Sequence, residues 1–90
     1  MERLLLTVPD ASALLAERIR RARKRRGFTQ AELAERALVS VATIHRLERS
    51  GAGQLGTFLR VLSALGHLRD VDALLQQPEP TTLAELRARS

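Results

Sequence analysis

Ninety residues, 44% of them apolar and 28% charged, make one small domain with a modest core and a thin stability margin. The absence of cysteine excludes a disulfide framework, a thiolate zinc site and a thiol nucleophile, and suits a reducing cytoplasm better than an extracellular setting. The net charge of +5 is segregated: residues 16–49 hold ten Arg or Lys against four acidic residues, while the remainder sums to −1, and such a confined basic excess points to a polyanionic partner.

Ala, Leu and Arg supply 44 of the 90 residues against two aromatics, so the expectation is an all-α fold. The apolar run near Met1 is too short for a signal-peptide core, and no stretch approaches the ~20 apolar residues of a membrane helix, so no membrane association is expected. Residues 1–9 read as an N-terminal arm. Leu4, Leu6 and Val8 alternate there as in a short strand ended by Pro9, which would need the same segment of a second copy as its partner. The other reading is an apolar arm lying on the helices.

Residues 10–76 form the helical domain. Asp10 or Ser12 can cap a first helix to about Arg26, with Leu15, Ile19 and Ala22 as the buried stripe and Gly27 as the stop. Seven cations occupy nine positions from Arg18 to Arg26. A charge run of this kind is usually a solvated face. Here it abuts the positive end of the next helix dipole, which favours phosphate contact through Arg23, Arg25 and Arg26. Thr29-Gln30-Ala31-Glu32 is a capping box, and Ser40 is an N-cap for a second short helix after a break at Leu38-Val39. Leu33, Ala34, Ala37, Val39, Ile44 and Leu47 are the inward positions, with Phe28 packed beneath them.

A fourth helix runs from Leu55 to Leu65 and is closed by Gly66, with Leu55, Phe58, Leu62 and Leu65 as its core stripe. Leu59 and Val61 broaden its apolar surface, which marks them as dimer-contact candidates. A short fifth helix spans Leu68 to Gln76. Residues 77–90 are a linker, broken at Pro78-Glu79-Pro80, and a tail with a second capping box at Thr82 to Glu85. Leu83 and Leu86 can order on a partner, or the tail frays. His45 and His67 stand on separate elements without metal-ligand spacing, and no catalytic grouping is visible, so neither a metal, a cofactor nor an enzyme is expected.

A capped helix, a short turn and a second helix in a basic domain is the helix-turn-helix arrangement, whose second helix enters the major groove. Ile19 through Ala37, with Val39-Ser40 and Thr43-Ile44, closely resembles the phage-repressor-like (Cro and XRE-type) regulators over about residues 14–75. The resemblance implies a lambda-repressor-like five-helix domain. The added fourth helix, Pro-Glu-Pro linker and short tail look most like HipB-type antitoxins.

By that resemblance Gln30 is a phosphate-contacting glutamine that also buttresses the recognition helix, its amide and that of Ala31 cradling the same phosphate, with Thr29, Ser40 and Arg49 as further phosphate contacts. Val41, Ala42, Thr43, His45 and Arg46 would face base edges. Three positions depart from the family pattern: Leu38 stands where glycine usually takes a left-handed turn, Val41 where a polar base reader is common, and Gln54 where Ser or Thr usually caps the fourth helix. The function implied is a homodimeric, sequence-specific repressor on a pseudo-palindromic double-stranded operator, autoregulating and paired with a HipA-type kinase toxin. The alternatives are a module that restrains a partner kinase with little specific DNA binding, or a stand-alone phage-type repressor.

Overall fold

In the computed structural model, residues 6–77 and 87–88 are described. Four α-helices, α1 (Val8–Arg25), α2 (Gln30–Ala37), α3 (Val41–Ser50) and α4 (Leu55–Ala64), precede a 3-10 helix at Leu68–Ala73. No strand occurs among the described residues. The all-helical, five-element expectation therefore holds, with its last element wound more tightly than an α-helix.

The first helix starts earlier than expected. Thr7 is its N-cap, accepting from the Asp10 amide while the Asp10 carboxylate accepts from the Thr7 amide, and Pro9 sits within the first turn, where its missing N–H costs nothing. Val8 is thus helical and Leu6 lies just outside the cap, which removes the strand reading at these two positions; Leu4 lies outside the described residues.

Local chemistry closes the helices as well. At the end of α1 the Phe28 amide reaches the Arg23 carbonyl and the Gly27 amide the Lys24 carbonyl, a Schellman motif that needs Gly27 at φ 74°. The end of α4 repeats it, with His67 bonded to Leu62 and Gly66 to Ser63. In α2 the same pair of bonds, Val39 to Ala34 and Leu38 to Glu35, places Leu38 in the left-handed region at φ 61°, ψ 44°. The turn is kept although the residue is not glycine.

A left-handed leucine costs roughly 1–2 kcal/mol, partly offset in comparison by the greater chain entropy that glycine loses on folding. The Leu38 side chain is 81% exposed and contributes little packing in return. Leu38→Gly is therefore expected to stabilise the domain by about 0.5–1 kcal/mol, read as a rise in thermal midpoint of a few degrees. An unchanged or lower midpoint would mean that the leucine is stabilised by something other than the turn.

The core joins α1 to α4 around Ile19, Ala22, Leu33, Ile44, Leu47 and Val61, with Ala34, Ala37 and Leu65 also buried and Phe28 and Val39 packed at its edge. Two sequence expectations reverse here. Leu15 is 41% exposed, and Ala16 replaces it in the buried face of α1. Val61 is fully buried, so it belongs to the core rather than to a dimer surface, whereas Leu55 is exposed. Residues 58, 59, 61, 62 and 65 are all apolar, and only the helix packed beside them selects which face turns inward.

Candidate nucleic-acid interface

The positions of α2 and α3 are set at their starts. Thr29 accepts from the Glu32 amide at 3.0 Å, and Glu32 accepts from the Thr29 amide at 2.8 Å. The bond from the Thr29 amide, and after it the Thr29 side chain, hold the Glu32 carboxyl below its ordinary range. Ser40 caps α3 through the Thr43 amide, and its hydroxyl also meets that of Thr43 at 2.8 Å. In both helices the first two amides, Gln30-Ala31 and Val41-Ala42, have no intrahelical acceptor and point out of the positive helix end.

Behind α3 lies a charged network that the sequence did not reveal. Arg23 of α1 grips Glu48 of α3 with two parallel bonds of 2.6 and 3.0 Å and also donates to the Phe28 carbonyl at 2.8 Å. Their side chains are 11% and 4% exposed. Gln30 donates to the same carboxylate at 3.1 Å, so α1, α2 and α3 meet at Glu48. The Glu48 bonds raise the Arg23 pKa against the opposing effect of burial, and the guanidinium stays charged throughout.

The buttressing expected of Gln30 is thereby given a geometry, and the reading of Arg23 as a free phosphate contact is corrected: its charge is already matched inside the protein. The signal for this lay in Glu48, the one acidic residue of α3, but its partner is 25 positions away and is chosen only by packing.

The remaining α1 cations divide among different surroundings. Arg26 and Arg36 each lie over the Phe28 ring, their guanidinium carbons 5.6 and 4.4 Å from its centre. Arg20 and Arg21 both reach Glu17 at 3.2 Å on the exposed surface. Arg25, two residues from Arg23 and so nearly opposite it on the helix, lines a groove against α4 and the 3-10 helix. Seven cations adjacent in sequence are dispersed around a cylinder.

On α3, Ile44 and Leu47 are buried and Ala42, His45, Arg46 and Arg49 form an exposed stripe at helical spacing. Val41 is exposed at the helix start, while Thr43 is half-buried and engaged with Ser40. Thr29, Ala31 and Ser40 are exposed and Gln30 half-buried. Gln54 makes no side-chain cap to α4. No group of three or more potential metal ligands exists among the described residues. No helix among them is long and apolar enough to cross a membrane.

Two capped helices joined through a left-handed turn, the second presenting a basic stripe and held from behind by a buried ion pair, define a helix-turn-helix DNA-binding domain. Residues 14–75 match the family described as Helix-turn-helix domain, and the chain belongs to that family. No curated protein and no solved structure matches the chain.

Proposed function

We propose that this protein is a cytoplasmic, sequence-specific transcriptional repressor that binds double-stranded DNA with α3 in the major groove. The observation that carries this reading is the exposed stripe Ala42-His45-Arg46-Arg49 on a helix fixed from behind by Arg23 and Gln30 through Glu48. Arg46 is the principal direct reader, since a guanidinium can bond both acceptors of a guanine edge. Ala42 and Val41 meet thymine methyls, and His45 and Thr43 flank them. The amides of Gln30 and Ala31, with Thr29, Ser40 and Arg49, grip phosphates and set the register.

Two copies would read half-sites about 34 Å apart on a pseudo-palindrome. For the dimer contact, Leu59 is half-buried and Leu6 and Val8 are exposed, which leaves them available to a second copy.

A mobility-shift assay on the DNA upstream of the protein's own gene, against random duplex at physiological salt, tests the repressor reading; equal binding to both would sink it. Arg46→Ala is expected to relax base preference at one position per half-site by about 1–3 kcal/mol. Arg49→Ala is expected to weaken binding to all sequences alike and to lower the salt slope by ~0.9 for the lost phosphate contact. Footprinting across a salt series separates the two, and identical effects would refute the division of roles.

The finer reading, an autoregulating antitoxin of a HipA-type kinase, is supported by the resemblance of the repressor domain, linker and tail. Leu83 and Leu86, which lie outside the described residues, would engage the kinase. Co-purification with a kinase encoded beside it, lost on Leu83→Glu/Leu86→Glu, is the result this reading requires.

A further inference from the structure

A groove of about 600 Å³ runs between α1 on one side and α4 with the 3-10 helix on the other, and no residue of α2 or α3 lines it. Its floor is apolar, with Leu15 and Ile19 from α1, Phe58 and Leu62 from α4, and Val71 and Leu74 from the last element. Leu15 is 41% and Leu74 68% exposed. Large apolar side chains gathered on one concave surface and rimmed by charge mark an interaction site.

The charge on the rim is one-sided. Along α1 stand Arg18, Arg21 and Arg25, and across from them His67 and Asp70, which meet each other at 3.1 Å. Arg21 is taken up by Glu17 at 3.2 Å. Arg18 and Arg25 enter no ion pair among the described residues. Seven residues apart, these two lie nearly in line along α1, about 10 Å from one another. Beside them the groove-lining Leu15, Ile19 and Ala22 follow at i, i+4 and i+7, so the apolar strip has the period of a helix and runs parallel to the two cations.

From this pattern of charge and apolar surface, we propose that the groove docks an acidic amphipathic helix of a partner protein. The apolar face of that helix lies on the floor between α1 and α4, and two of its carboxylates, seven residues apart, meet Arg18 and Arg25. Each feature of the groove selects against another occupant. A nucleic-acid duplex would satisfy the arginines and leave the apolar floor unfilled, whereas a basic helix would fill the floor and face like charge on the rim. The lining excludes α2 and α3, so the partner is held while the exposed stripe of α3 stays open.

The probe is a synthetic helix-forming peptide with leucines at i, i+4 and i+7 and glutamates seven residues apart on the flank, titrated into the isotope-labelled full chain. Saturable NMR shifts are expected at Leu15, Leu62 and Val71, with Ala42 and Arg46 unmoved. Arg18→Glu/Arg25→Glu should weaken this binding by about tenfold or more, while the core signals of Ile44 and Leu47 stay in place. The same variant should bind a peptide carrying lysines in place of the glutamates better than the wild type does. Absence of saturable shifts in the groove would overturn the proposal, as would equal binding of a scrambled peptide of the same composition or equal affinity for the glutamate and lysine peptides. Groove signals that move on diluting the chain without peptide would overturn it too, by assigning the surface to a second copy.

Discussion

Glu48→Ala is expected to cost about 3–5 kcal/mol, because it leaves a largely buried guanidinium with the Phe28 carbonyl but without its carboxylate. Arg23 and the Gln30 amide group both donate to that carboxylate, and the Arg23 and Glu48 side chains are 11% and 4% exposed, so water cannot replace the lost acceptor without opening the α1–α3 contact. A domain of this size has a total stability near the low end of the usual ~5–15 kcal/mol range. The variant should therefore be largely unfolded at modest urea concentration.

The informative control removes both charges. Arg23→Met with Glu48→Leu is expected to recover most of the loss, because the energy at stake is the desolvation of one unpaired ion and not a large net attraction. A urea series on the singles and the double forms the cycle. A cost below about 1 kcal/mol for Glu48→Ala would put the pair among solvated surface bridges and remove the proposed support of α3.

Gly51→Ala should be the second most damaging change, at about 2–5 kcal/mol, for two reasons that add. Gly51 ends α3 in the left-handed region at φ 75°, where any other residue is strained. A methyl group there would also lie 2.5 Å from the Ser12 carbonyl oxygen, which is backbone of the neighbouring α1 and cannot swing away. α1 and α3 would have to part at this point.

Gly27 provides the comparison. Its φ is 74°, almost the same, but a methyl group would meet nothing within 4 Å. Gly27→Ala should then cost only the conformational part, about 1–2 kcal/mol. Thermal or urea midpoints of the two variants measure the difference directly. Equal losses would show that the close approach of α3 to Ser12 contributes nothing.

These two predictions concern features with different visibility in the sequence. Thr29, Ser40, Gly27 and Gly66 were readable at once, and the left-handed demand at Leu38 followed from the family resemblance. The exposure of Val41, Ala42, His45 and Arg46 on α3 was equally legible, because a residue on the side opposite Ile44 and Leu47 must be outward whatever surrounds the helix, whereas Thr43 is half-buried against Ser40. The Arg23–Glu48–Gln30 network was not. Arg23 is one arginine among many in α1, and no local rule distinguishes the one that points at Glu48 from Arg25, which faces the opposite groove.

The sequence by itself thus determined where α2 and α3 begin and where the helices stop. Capping boxes and Schellman turns are completed by atoms within about five residues, so their energetics are local. Tertiary structure alone decided that Arg23 turns inward, that Val61 rather than Leu55 enters the core, and that Leu15 is left over an open groove. In each case several neighbouring residues of the same chemistry competed for one inward direction. The choice belonged to a helix elsewhere in the chain, through burial and charge pairing that exist only once the helices have met.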